Sequence, residues 1–368
     1  MKITVSRDKL HEKLSDIQSI VEKKTTMQIL SHFLLNVTSD GAGISATDLE
    51  TAIQEPLPVE KVDAEGSLCI PARKLFEIVR EVDGDISLST DDSEWLRVKA
   101  DASNFRLACL DPGEFPKWPY MEDGKKLIMK ASDIFHAIEK TLYSAGESDT
   151  RYTLNGILFH IMPSNKELVV VGTDGHRLSA MFNSMDLPFD DELKVIIPRK
   201  AASELRKFLS GSDSDISVFL GKNHIQFDIG EVKFLTRLIE GTYPNYDQVI
   251  PKSNEKKLTI NKEAFVKALR RTSIMSREKS NAVKFDIAEN LITVTASNPD
   301  LGEAKDQIVT NYSGDELSLG FNARYLLDAL SAIDSDEVVF ELQDSLSPTL
   351  LKGVSADNYI CVVMPMRI

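Results

Sequence analysis

Apolar positions along the chain switch between a helical and a strand-like period in an order that repeats. Leu10, Leu14, Ile17 and Val21 stand three or four apart between Lys9 and Val21, with charged residues between them, which predicts an amphipathic helix packed on a sheet. Ile134, Ile138 and Leu142 carry the same stripe further on, and Phe265 and Leu269 carry it a third time. Each stripe precedes a strand candidate: Phe33 to Val37, Ile157 to Ile161 and Val283 to Ile287. Shorter apolar runs separated by turn residues, among them Asp40-Gly41 and Asp83-Gly84, predict further strands joined by hairpins. A block around Pro71-Ala72-Arg73-Lys74 then opens a second helix, and more strands follow. The unit is α+β: two helices over an antiparallel-rich sheet.

That unit occurs three times. Leu68-Cys69-Ile70-Pro71-Ala72-Arg73-Lys74-Leu75 returns as Val195-Ile196-Ile197-Pro198-Arg199-Lys200-Ala201-Ala202, and at nearly the same spacing again as Leu319-Gly320-Phe321-Asn322-Ala323-Arg324-Tyr325-Leu326. Ala46-Thr47-Asp48, Gly172-Thr173-Asp174 and Ala296-Ser297-Asn298 keep that spacing. So does Gly113-Glu114-Phe115-Pro116-Lys117-Trp118, which reappears as Gly241-Thr242-Tyr243-Pro244-Asn245-Tyr246. A repeat this long is of domain size. Domain ends near Tyr120 and Pro251 give three domains, 1–121, 127–251 and 256–368.

A chain of 368 residues has room for two or three domains with separate cores. No signal-peptide pattern is present and no apolar run approaches the ~18 residues of a membrane span, so a cytoplasmic protein without a membrane partner is expected. Cys69, Cys109 and Cys361 stand singly in apolar runs without metal-ligand spacing. They read as small core residues in a reducing compartment, and neither metal nor cofactor is expected.

Charge points two ways. A net charge of −14 argues against indiscriminate coating of nucleic acid, which depends on neutralising phosphates. Yet Lys262 to Lys279 holds six basic residues (Lys262, Lys267, Arg270, Arg271, Arg277, Lys279) against Glu263 and Glu278, and Arg199 to Ser210 holds Arg199, Lys200, Arg206 and Lys207 against Glu204. Basic helices at corresponding places in the repeat would gather positive charge onto one surface.

Four motifs in one order carry a resemblance: Arg151-Tyr152-Thr153-Leu154-Asn155-Gly156, Gly172-Thr173-Asp174-Gly175-His176-Arg177-Leu178, Ile197-Pro198-Arg199-Lys200 and the terminal Val362-Val363-Met364-Pro365-Met366-Arg367-Ile368. Together they closely resemble the bacterial DNA polymerase III beta subunits, the replicative sliding clamps, from Met1 to Ile368. The resemblance implies three repeated DNA-clamp domains per chain and a ring-shaped head-to-tail homodimer, with helices lining the hole and sheets outside. It implies sequence-independent encirclement of double-stranded DNA through phosphate contacts. It further implies a hydrophobic pocket that docks short motifs of the replicative polymerase catalytic subunit, the clamp loader, and other polymerases and repair proteins.

By matched position that pocket comprises Leu154, Thr173, Gly175, His176, Arg177, Leu178, Pro244, Val249, Tyr325, Val362, Val363, Met364, Pro365, Met366 and Arg367. Apolar walls with two flexible Met side chains suit varied peptides, and His176 and Arg177 would orient them at the edge. Gln248 stands where the family commonly has a basic residue. The matched DNA contacts are Lys24, Arg73, Ser148, Arg151, Arg199, Lys200 and Lys279. For the dimer contact, Phe105 and Leu107 match one side and Ile274 and Met275 the other, with Asp300, Glu303 and Asp306 facing Lys74 and nearby cations.

Two rival readings exist. An enzyme could use Asp174 and His176 as an acid/base pair. Against it, Val169 to Val171 before and Leu178 to Met181 after make Asp174-Gly175 the turn of a hairpin, and the matching places hold Asp48-Leu49-Glu50 and Asn298-Pro299-Asp300. The chain has no phosphate-binding glycine loop, His/Cys metal set or serine elbow. A scaffold that binds no nucleic acid would suit the acidity, and salt-sensitive binding of DNA by closed rings would exclude it.

Overall fold

The computed structural model describes residues 1–22, 26–90, 95–119, 121, 124–277, 280–355 and 358–367. Six α-helices occur among them: α1 Arg7–Ile17, α2 Ala72–Glu81, α3 Ala131–Thr141, α4 Arg199–Leu209, α5 Lys262–Ser273 and α6 Ala323–Ala332. α2, α4 and α6 each begin where a strand ends, at Pro71, Pro198 and Asn322. These are the repeated blocks of the sequence, and Asn322 caps α6 by accepting from the Arg324 N–H at 2.9 Å. The stripe of α1 buries Leu10, Leu14 and Ile17, but the regular helix stops at Ile17 and Val21 is reached through a turn.

Two compact units account for the chain, Met1–Ser132 with Lys207–Leu238 and Asp133–Arg206 with Ile239–Ile368. The first holds a sheet in the order Lys61–Ala64, Lys2–Ser6, Asp85–Thr90, Trp95–Ala100, Ser103–Ala108. It also holds an eight-stranded sheet: Lys125–Lys130, Asp215–Leu220, His224–Ile229, Val232–Arg237, Thr51–Leu57, Gly41–Thr47, His32–Thr38, Gly66–Pro71. The second unit repeats the pattern with an eight-stranded sheet, Leu193–Pro198, Gly156–Met162, Glu167–Thr173, Arg177–Ser184, Tyr359–Val363, Thr349–Gly353, Glu337–Leu342, Lys256–Asn261. Its four-stranded sheet runs Gly302–Val309, Leu291–Asn298, Ala282–Ala288, Leu317–Asn322.

Each eight-stranded sheet is assembled from two different repeats. Val232–Arg237 pairs antiparallel with Thr51–Leu57, Leu235 opposite Ala52, and Tyr359–Val363 pairs with Arg177–Ser184, Val362 opposite Leu178. The strands at the same two places in the repeat that complete no such seam are Ser103–Ala108 and Gly302–Val309, and both lie at sheet edges.

α1 packs on α2 and on Thr51–Leu57, and this junction buries a carboxyl. Glu55 accepts from Lys13 Nζ at 2.6 Å through Oε2, while its Oε1 has no hydrogen-bond partner. Burial outweighs the Lys13 contact and raises the Glu55 pKa from 4.5 to about 7. A carboxyl raised in the fold contributes stability below 4.5 and loses it as the pH climbs through about 7. The melting temperature of Glu55→Gln relative to the unsubstituted chain is therefore expected to rise between pH 5 and pH 8.5, by roughly 2–4 °C for each kcal/mol of charge penalty removed. Scanning calorimetry at both pH values checks this, and a pH-independent difference would contradict it.

The three cysteines are buried and free. Burial pushes the Cys69 thiol up to about 12 and that of Cys109 to about 11. Cys361 is more than a small core residue, since its Sγ lies 3.1 Å from both the Tyr143 and Tyr359 hydroxyls. No helix among the described residues is long and apolar enough to cross a membrane.

Candidate docking pocket

The pocket begins with a hairpin turn whose side chains supply the turn's own hydrogen bonds. Thr173 faces Leu178 in the ladder, and a short turn from Asp174 to Arg177 connects their strands. Thr173 Oγ1 donates to the Arg177 carbonyl at 2.6 Å and accepts from the Gly175 N–H at 3.1 Å. Asp174 Oδ1 accepts from the N–H groups of His176 and Arg177 at 2.9 and 3.1 Å, an Asx turn. Gly175 has a φ of 84°, which favours glycine, and a Cβ there would meet the Arg151 guanidinium at 2.8 Å and displace it.

Around this turn lies an apolar pocket of about 110 Å³ lined by Leu154, Thr173, Gly175, Arg177, Leu178, Pro244, Val249, Val362 and Met364, with Arg151 and Tyr246. Strand alternation explains why Val362 faces it and Val363 does not. His176 and Tyr325 line, with Arg177, a neighbouring polar cleft of about 400 Å³. Val363, Pro365, Met366 and Arg367 line neither cavity. The C-terminal segment is pinned at two points: the Met364 N–H donates to the His176 carbonyl at 2.9 Å and the Met366 N–H to that of Gly320 at 2.7 Å.

Arg177 acts as a rivet. Its Nε donates to Asp174 Oδ2 at 3.0 Å, Nη1 to Asp328 Oδ2 at 2.6 Å and Nη2 to the Tyr143 carbonyl at 2.7 Å, while the guanidinium lies 4.5 Å from the Tyr325 ring centre. It fixes the wall of the pocket, and the exposed edge belongs to His176. Tyr246 is held from behind: its hydroxyl meets His160 Nδ1 at 2.7 Å, and His160 Nε2 meets Glu192 at 2.7 Å. Burial raises the Tyr246 pKa to about 12. Tyr246 and Arg151 were not expected in the pocket, although the aromatic shared by Trp118 and Tyr246 in the repeat is a readable signal for the first.

Several candidate DNA contacts have local partners. Arg199 donates through Nη1 to the carbonyls of Leu142 and Ala145 at 2.7 and 2.6 Å and through Nη2 to Glu147 at 3.0 Å. Arg73 pairs with Glu77 at 2.9 Å on an exposed face. Ser148 Oγ donates to the Glu147 carbonyl at 2.6 Å. Arg151 binds Asp149, drawing that carboxyl down to about 2. Lys200, exposed at the start of α4, also has a partner. Lys24 and Lys279 lie outside the described residues. On α4 and in and after α5, Arg206, Arg270 and Arg277 have no carboxylate partner among the described residues.

Four of the interface candidates, Phe105, Leu107, Glu303 and Asp306, lie on the edge strands Ser103–Ala108 and Gly302–Val309. Phe105 is 37% exposed on Ser103–Ala108, with Leu107 beside it. Ile274 is 72% exposed at the end of α5, which packs on Gly302–Val309, the strand that carries Glu303 and Asp306. Met275 follows Ile274, and Asp300 lies in the preceding turn. Asp306 already accepts from Arg271 at 2.6 Å, and Lys74 from α2 pairs with Glu77 at 2.7 Å. Asp174 spends its carboxylate on the turn and on Arg177, which leaves the acid/base reading without a free base.

A threefold helix-and-sheet repeat with an apolar pocket at a hairpin turn defines a binding protein of the DNA-clamp class. Family models for the N-terminal, central and C-terminal domains of the DNA polymerase III beta subunit match residues 1–119, 129–245 and 247–367. The beta sliding clamp of Pseudomonas putida is 34% identical over 373 residues, covering all of both chains. Crystal structures of clamps bound to griselimycin, from Bartonella birtlesii (36% identical) and Pseudomonas aeruginosa (32%), superpose with TM-scores of 0.95 over the whole of each chain. The chain belongs to the DNA polymerase III beta subunit family, the sliding clamps, which are non-catalytic processivity factors of that polymerase.

Proposed function

We propose that two copies of this chain close head to tail into a ring around duplex DNA and tether the replicative polymerase through the pocket at Leu178 and Val362. The observation that carries this reading is the missing third seam. Two of the three places where neighbouring repeats can join strands are filled within the chain, and the remaining halves, Ser103–Ala108 and Gly302–Val309, are open edges. Open edges present unpaired N–H and C=O groups, which a second copy satisfies twice in a closed two-fold arrangement. The domain division 1–121, 127–251 and 256–368 follows from the same repeat.

The filled seams set the register of the open one. Leu107 holds the place in the first repeat that Leu235 holds in the second, by the same offset that carries Pro116 to Pro244. Glu303 faces Ser297 across its hairpin as Leu178 faces Thr173 and Ala52 faces Thr47. Leu107 of one copy therefore lies opposite Glu303 of the other, and Phe105 opposite Lys305. Directly opposed Cβ atoms stand roughly 4.5–5.5 Å apart. Leu107→Cys with Glu303→Cys is expected to yield a disulfide-linked dimer on oxidation, whereas Leu107→Cys with Gln307→Cys yields none. Non-reducing gel electrophoresis reads the result, and the reverse pattern would refute the register.

The basic residues of α4 and α5 contact phosphates without reading bases, so binding is weak on a short linear duplex and persistent on a circle once the ring is loaded. Surface-plasmon or gel-filtration retention on the two DNA forms tests this. Tight, base-selective binding to linear duplex contradicts encirclement. The clamp loader and other polymerases and repair proteins would use the same pocket through short hydrophobic motifs.

A further inference from the structure

The seam that builds the docking pocket has a counterpart in the first unit. Leu235 lies opposite Ala52 there as Val362 lies opposite Leu178. The turn at Thr47 to Thr51 repeats the one at Thr173 to Arg177 bond for bond. Thr47 Oγ1 donates to the Thr51 carbonyl at 2.9 Å and accepts from the Leu49 N–H at 3.0 Å, and Asp48 Oδ1 accepts from the Glu50 and Thr51 N–H groups at 3.0 and 2.6 Å. Pro116 and Trp118 take the places of Pro244 and Tyr246, and the Trp118 indole is oriented by donating to Gln226 at 3.2 Å. Between them is a second groove of about 90 Å³, close in size to the pocket, lined by Thr47, Leu49, Ala52, Pro116, Trp118 and Leu235.

Its chemistry differs at defined points. Ala52 lowers the floor where Leu178 raises it, and Thr51 stands in place of Arg177, so no arginine is among the lining residues. Leu49, 50% exposed and with a φ of 75°, forms a wall where Gly175 makes room for Arg151. Lys117 lines the rim, exposed and without a carboxylate partner among the described residues, whereas Glu50 faces Arg237 at 3.9 Å.

We propose that this groove is a second peptide-docking site. It takes an extended segment with one aliphatic side chain between Leu49 and the Trp118 indole and an acidic residue alongside, on Lys117. The lining is largely apolar and concave, Lys117 offers a cation without a carboxylate partner among the described residues while the groove's own carboxylate, Glu50, faces Arg237, and the geometry repeats the pocket whose docking role is the reading this inference rests on.

The test titrates the full-length dimer with a fluorescein-labelled pentapeptide, Ser-Asp-Leu-Ser-Phe, following anisotropy and stoichiometry. Two equivalents per chain are expected. Lys117→Glu, an exposed change that spares the fold, weakens one class at least tenfold and leaves the other intact, and Ala52→Leu, which fills the floor, affects that same class. Deletion of Met364 to Ile368 removes only the other class. One equivalent per chain, lost on the deletion and indifferent to Lys117→Glu, overturns the second groove. One equivalent lost with Lys117→Glu and indifferent to the deletion retains the groove and overturns the pocket reading, and absence of any binding overturns both.

Discussion

A chain lacking Met364 to Ile368 is expected to dimerise normally and to lose peptides from the polymerase by at least about 100-fold, because anchors in a small apolar pocket supply most of its binding energy. Met364 is a wall of the pocket, and its N–H is the bond that closes the chain end onto the His176 carbonyl. Removing it opens one side of the cavity, while Val362 stays in the ladder opposite Leu178. The open edges Ser103–Ala108 and Gly302–Val309 are untouched by the deletion. Fluorescence anisotropy of a polymerase peptide, with the size of the truncated protein measured in parallel, decides the matter. Ordinary affinity in a truncated dimer would remove the chain end from the docking site. The same variant should leave the length of DNA synthesised per binding event near that of the polymerase alone.

The second large effect concerns the ring. Phe105→Lys with Leu107→Asp places like charges opposite Lys305 and Glu303 in the proposed register and strips the apolar surface from that edge. Burying unpaired charge at such a contact costs on the order of 3–5 kcal/mol, which raises the dimer dissociation constant roughly 150- to 5000-fold per contact. Both positions lie on an edge strand, so each chain should keep its melting behaviour while sedimenting as a monomer. A dimer in analytical ultracentrifugation at micromolar concentration would place the junction elsewhere. Loss of DNA retention on circles should accompany the loss of the dimer.

Much of the site was legible in the residues. The Asp174-Gly175 hairpin follows from local chemistry, since a short Asx side chain and a glycine at positive φ form the turn wherever the flanking strands pair. Pocket walls at Leu154, Leu178, Pro244, Val249, Val362 and Met364 could be located by family match. Other features were not legible. The partners of Arg177, namely Asp174, Asp328 and the Tyr143 carbonyl, and those of Arg199, the carbonyls of Leu142 and Ala145, are set by the fold. Apart from Asp174, these partners lie far along the chain, where periodicity carries no information.

What the sequence determined by itself is the repeating unit: the amphipathic stripes, the strands, the helices that start after Pro71, Pro198 and Asn322, and the threefold spacing that multiplies them. Those features depend on residues within a few positions of one another, so their physical causes are all present in a short window. Only the tertiary structure decided how the half-sheets pair. A strand edge can be satisfied by any complementary edge, and the choice of Val232–Arg237 for Thr51–Leu57 and of Tyr359–Val363 for Arg177–Ser184 emerges from packing between segments of different repeats. That choice makes the pocket, because Leu178 and Val362 become neighbours only across a seam, and it leaves the two remaining edges open.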